Sequence, residues 1–108
     1  MKNALYTPPK IPINMATVTT TPITLNKTYD MILVDTGIGD ITLNVPIAAN
    51  FIGWSFTIMK ITANVNKVII TPNGAETING NPNITLYSQY EVVRIISNGT
   101  EWFIASVG

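Results

Sequence analysis

Short apolar runs cut by turn residues constrain this chain more than any other feature. From Asn66 the sequence runs through Val68-Ile-Ile-Thr71, then Pro-Asn-Gly, then Glu76-Thr-Ile-Asn79 and Gly80. It resumes with Ile84-Thr-Leu86, Glu91-Val-Val-Arg-Ile-Ile-Ser97, Asn-Gly-Thr, and Glu101-Trp-Phe-Ile-Ala105. Asn-Gly and Asn-Pro pairs between apolar runs of this length punctuate strands. No stretch sustains a 3.6-residue apolar period, so helices of any length are not expected.

The rest of the chain reads the same way. Strands are expected over 15–19, 23–25, 29–34, 41–45, 54–61, 68–71, 76–79, 83–86, 91–97 and 101–105. Tyr29 to Val34 is apolar at almost every position, which predicts cover on both faces. Phe56 and Ile58 share a face with Trp54, and Ser55, Thr57 and Met59 take the other. The link 47–53 has room for one helical turn at Ala48 and Ala49. Asp35-Thr-Gly-Ile-Gly-Asp40 reads as a solvated hairpin turn. Tyr29-Asp-Met-Ile and Tyr90-Glu-Val-Val echo one another, as do Asp40-Ile-Thr-Leu and Glu101-Trp-Phe-Ile; two hairpins under similar packing demands are the favoured explanation, and an internal duplication is the other. The fold expected is all-β: an antiparallel, jelly-roll-like β-sandwich over residues 15–108.

Residues 1–14 read differently. Pro8, Pro9 and Pro12 forbid a helix and remove backbone donors, so an extended arm is expected. Leu5, Tyr6, Ile11 and Ile13 make it more apolar than a plain solvated tail, which suits a tether lying across a neighbour.

Charge is scarce. Charged residues are 11% of the 108, against about 25% in an average globular protein, and the net charge is zero. Charge depletion is what the buried centre of an interface looks like, which favours a subunit that buries much of its outside; a neutral surface solvated by Asn and Thr is the other reading. The balance gives nucleic acid no basic face to bind. No apolar run reaches the roughly 18 residues of a membrane-spanning helix.

Catalytic chemistry finds little to work with. The chain has no His and no Cys, which removes the commonest general base and thiolate metal sites. Its serines therefore lack a triad partner. Gly37-Ile-Gly39 lacks the third glycine of a dinucleotide fingerprint. Asp30, Asp35 and Asp40 are spaced too loosely for a calcium loop. Glu76, Glu91 and Glu101 form no recognisable glycosidase pair. No enzyme activity, cofactor or metal is expected. Trp54, Tyr87 and Tyr90 are the candidate aromatics for a glycan platform or an interface.

One set of segments carries a resemblance. It comprises Val34-Asp-Thr36, Ile41-Thr-Leu-Asn-Val-Pro46, Gly53 with Phe56-Thr-Ile-Met-Lys-Ile61, Asn66 with Val68-Ile-Ile-Thr-Pro72, Gly74-Ala-Glu-Thr-Ile-Asn-Gly80, Ile84-Thr-Leu86, Tyr90-Glu-Val-Val93 and Ile96-Ser-Asn-Gly-Thr-Glu-Trp102. Together these resemble the small β-sandwich module of tailed-phage fibres and of capsid decoration and head-fibre proteins. The one departure is Asn98, where the family usually carries Asp. The resemblance implies a homotrimeric virion protein. The expected function is a capsid decoration or head-fibre subunit, held on the major capsid or another virion protein by an arm of Leu5, Tyr6, Pro8, Pro9, Ile11 and Ile13. The alternative is a tail-fibre tip that recognises host-surface glycan.

Overall fold

The computed structural model describes residues 14–108. It is all-β, with one short 3-10 turn at Ala48–Asn50. The described residues form nine strands: β1 (Met15–Val18), β2 (Ile23–Thr24), β3 (Met31–Val34), β4 (Ile41–Asn44), β5 (Ser55–Lys60), β6 (Val68–Thr71), β7 (Ile84–Leu86), β8 (Val92–Ser97) and β9 (Trp102–Val107). Among the described residues no helix is long and apolar enough to cross a membrane.

The strands form two sheets. One has five strands in the order β1-β3-β5-β8-β9, the other four in the order β2-β4-β6-β7. From β1 to β6 the chain alternates between them, so each strand returns beside its predecessor's predecessor. Such neighbours must run parallel: β1 with β3, β3 with β5, β2 with β4, and β4 with β6. Only the last three strands pair antiparallel, β7 on β6, β8 on β5 and β9 on β8. The sheets are therefore mixed, and the expectation of a wholly antiparallel fold is corrected.

The reason lies in the turns. The Asp35–Asp40 segment has hairpin composition, with Asp35 Oδ1 accepting from the Gly37 amide at 2.8 Å. Yet it carries the chain from β3 across the core to β4 in the other sheet. The echo between the two parts of the sequence is accordingly not a structural duplication. β8 and β9 form a hairpin in one sheet, whereas β3 and β4 lie in different sheets.

Period-two alternation builds the core. Ile32 and Val34, Ile41 and Leu43, Phe56 and Ile58, Val68 and Ile70, and Val93 and Ile95 all point inward and are buried. They join Trp102 and Ile78 in one cluster fed by both sheets. Trp102 fills its centre; its ring lies 5.6 Å from that of Phe56 and its Nε1 donates to the Pro46 carbonyl at 3.1 Å.

Residues 76–79 do not form the expected strand. Asn79 takes φ +50 and Gly80 φ +80, which breaks an extended ladder. Ile78 instead makes isolated bridges to Asn81 and Trp102. The segment covers the start of the free edge of β9: Trp102 N donates to the Thr77 carbonyl, Asn79 N to the Trp102 carbonyl, and Ile104 N to Asn79 Oδ1.

Candidate interaction surface

Side chains alternate across a strand, so every inward residue of the five-stranded sheet leaves a neighbour on the outer face. Cross-strand register assembles those neighbours into rows. Met15, Met31, Thr57, Arg94 and Ser106 form one row. Thr17, Leu33, Met59 and Val92 form the next. Ser55, Ile96 and Phe103 form the third. The face is thus mostly apolar, rich in methionine, with Arg94 as its single charge. Met15 is 56% exposed and Phe103 42%.

The four-stranded sheet is the control within the same molecule. Its outer rows are Thr24, Asn44 and Thr71, then Thr42, Ile69 and Thr85. Hydroxyls and an amide dominate there, as expected of a solvated β surface. Both sheets share one core and one alternation, so packing does not explain the difference between their outsides. Sequence analysis predicted cover on both faces of the 29–34 strand. The structure covers Ile32 and Val34 with the core and places no layer of described residues over Met31 and Leu33.

The three aromatics singled out from sequence do not meet. Trp54 is half-buried just before β5, 6.5 Å from Phe51 and 6.4 Å from Phe56, with the Lys27 ammonium over the Phe51 ring at 4.9 Å. Tyr87 and Tyr90 are 59% and 63% exposed and flank the turn between β7 and β8. Tyr90 N donates to Lys60 at the far end of β5. Six strand residues separate the two sites, about 20 Å at about 3.3 Å per residue. One sugar ring cannot touch both. The arm residues Leu5, Tyr6, Pro8, Pro9, Ile11 and Ile13 lie outside the described part of the chain.

The candidate acids serve the backbone. Glu76 accepts from the Ala48 amide, Glu91 from Tyr87 and Ser88, and Glu101 from the Thr77 amide and hydroxyl. Asp40 accepts from the Lys67 amide at 2.8 Å. Among the described residues no three acids gather where they could hold a metal ion.

Models of known protein families and the curated proteins give no match to this sequence.

Lys60 escaped sequence analysis as a site of interest. It is fully buried, and its ammonium donates to the carbonyls of Thr62 at 2.7 Å and Asn64 at 2.9 Å. Beside it, the buried Thr36 hydroxyl bonds Thr62 and Asn64. The signal was present: Lys60 has the same parity as Phe56 and Ile58, so the alternation that sends them inward sends it inward too.

Proposed function

We propose that this chain is a non-enzymatic structural protein of a bacteriophage virion, a capsid decoration or head-fibre subunit. Its two sheets act as the layers of a sandwich module of the phage-fibre kind. Copies associate through the outer face of the five-stranded sheet, most simply as a homotrimer, and residues 1–14 attach the assembly to a neighbouring virion protein.

The observation that carries the reading is the contrast between the two outer faces. Burying the methionine-rich face is favourable at about 25 cal/mol per Å2 of apolar surface. Leaving it wet gains nothing, and an open sheet face with a single charge invites aggregation. Low charge content and an apolar, proline-rich N-terminal segment fit the same role. Methionine side chains adapt to imperfectly matched partners, as suits repeated contacts on a lattice.

A density map of the parent particle tests it. The chain is expected on the shell surface, its five-stranded sheet turned toward other copies. Absence of the chain from the purified particle overturns the reading.

A second reading is supported by Tyr87 and Tyr90, exposed on one turn at the end of the fold. Aromatic faces at a tip suit a receptor-binding role toward host-surface glycan. Glycan-array binding that disappears in Tyr87→Ala and Tyr90→Ala would favour that role.

A further inference from the structure

Inward-facing side chains are buried along most of the core, but not at the end of β9. Val107 stands opposite Val93 in the β8–β9 ladder, so the two share the inner face of the five-stranded sheet. Val93 is buried, whereas Val107 is 73% exposed. Topology explains the difference. The five-stranded sheet ends at β9 and the four-stranded sheet at β7. Ile78 covers the start of β9 through its bridge to Trp102. The described residues leave the far end, at Val107, uncovered.

Between those two edges lies a cleft of about 340 Å3. Ile84 and Leu86 of β7 line one wall and Ile104 and Val107 of β9 the other, with Val92 and Val93 of β8 one strand further in. Among the described residues its only polar side chains are Thr85 and Glu91. The Glu91 carboxylate is already taken by the Tyr87 and Ser88 amides. The opposite flank of the sandwich is different. There the cleft between β1 and β2 carries Thr17, Thr19, Thr20, Thr24 and Asn26 among its apolar side chains, groups that water satisfies.

We propose that a second copy of this chain closes the β7–β9 cleft, flank against flank about a two-fold axis, with Val107 of each copy entering one shared apolar space. Charge selects this partner. The flank presents no unpaired charged side chain among its described residues, so it fits a neutral apolar surface, and the same flank of another copy is one. Continuity selects it too. Val92 lines the cleft and also stands in the outer row with Met59, on the face to which the proposed function assigns self-contact. Phe103 of β9, 42% exposed, extends that face to the same edge.

The backbone agrees. Gly108 N donates to the Val92 carbonyl, so the groups of Val107, one residue before it, face away from β8. An open edge accepts another strand. A two-fold axis there sets β9 antiparallel to β9 and joins two five-stranded sheets edge to edge. Such a contact uses the same patch on both copies and stops at two, which caps the edge against open-ended strand addition. The inference rests on the reading that copies of this chain assemble, and it adds an edge contact to the outer-face contact.

The chain has no cysteine, and a residue near a two-fold axis meets its own copy. Full-length Val107→Cys is therefore expected to form disulfide-linked dimers on mild oxidation, several-fold more than Val65→Cys, a control at a site 91% exposed elsewhere on the surface. Full-length Val107→Lys changes a side chain that is exposed in the single copy; it should keep the parent's unfolding midpoint and lose half the parent's sedimenting mass. Crosslinking reads the contact even where the lysine variant fails to fold. Crosslinking no better than the control, or a folded Val107→Lys protein of unchanged mass, overturns the proposal. If that happens while the Met31→Lys, Met59→Lys protein dissociates and the parent particle carries the chain, this inference falls and the proposed function stands. If Val107→Cys crosslinks and Val107→Lys halves the mass while the particle lacks the chain, the flank contact stands and the proposed function falls.

Discussion

The hydroxyl of Ser97 donates to the carbonyl of Ala48 at 2.7 Å, joining the end of β8 to the 3-10 turn that leads into β5. The same oxygen accepts from the Gly99 amide at 2.9 Å. Ser97 and Ala48 are buried, so the Ala48 carbonyl cannot turn to water without moving the backbone. Ser97→Ala should cost about 1–3 kcal/mol, the cost of stranding buried polar groups. Denaturant unfolding of the purified protein measures it, and a loss within about 0.5 kcal/mol, the usual scatter for a surface change, would show that the hydroxyl ties nothing together.

Gly99 sits in the same turn at φ +95, and a Cβ there would come 2.8 Å from Ile52 Cγ1. Gly99→Ala therefore meets both backbone strain and a clash. Its cost should be about 1–3 kcal/mol, and Ile52→Ala in the same chain should recover part of it. Equal stability of the single and double variants would place the whole penalty in the backbone.

Trp102 combines the largest buried volume with a hydrogen bond from its indole to Pro46. Trp102→Ala should lose about 3–5 kcal/mol, enough to unfold a domain of marginal stability. Trp102→Phe keeps most of the packing and should lose less. Thermal unfolding separates the two, and similar midpoints would contradict a central role for this ring.

The buried ammonium of Lys60 is held by two loop carbonyls. Lys60→Met keeps the stem and removes the donor, leaving the Thr62 and Asn64 carbonyls short of a partner. A loss of about 1–3 kcal/mol is expected, with faster amide exchange in the 61–66 loop. Unchanged exchange there would mean that the other contacts to the loop, among them the Asn64 and Asn66 side-chain amides donating to the Thr36 carbonyl, hold it without the ammonium.

On the outer face of the five-stranded sheet, the double change Met31→Lys and Met59→Lys should act on assembly and not on folding. Sedimentation velocity is expected to show a shift to smaller species, with monomer stability within about 0.5 kcal/mol of the parent. Oligomers that persist at the same concentration would place the self-contact on another surface.

Much of this molecule was legible in the linear chain because alternation is local. A run such as Ile41-Thr-Leu-Asn-Val declares which side chains go inward, and Ile41, Leu43 and Val45 are indeed buried. The 3-10 turn at Ala48–Asn50 and the Ser97-Asn-Gly turn before β9 were readable for the same reason. The 76–79 segment was misread because its alternation resembles a strand, while the left-handed Asn79 beside Gly80 ends any ladder there.

Turn residues specify that a chain bends, not where it goes next. Asp35–Asp40 bends as its composition demands, yet whether it returns within one sheet or crosses to the other depends on which partner buries Ile41 and Leu43. That choice is made by the whole core, and it sets the parallel pairing of β1 through β6. The interaction surface has the same origin. Met15, Met31, Met59 and Phe103 are far apart along the chain, and only strand register gathers them on one face.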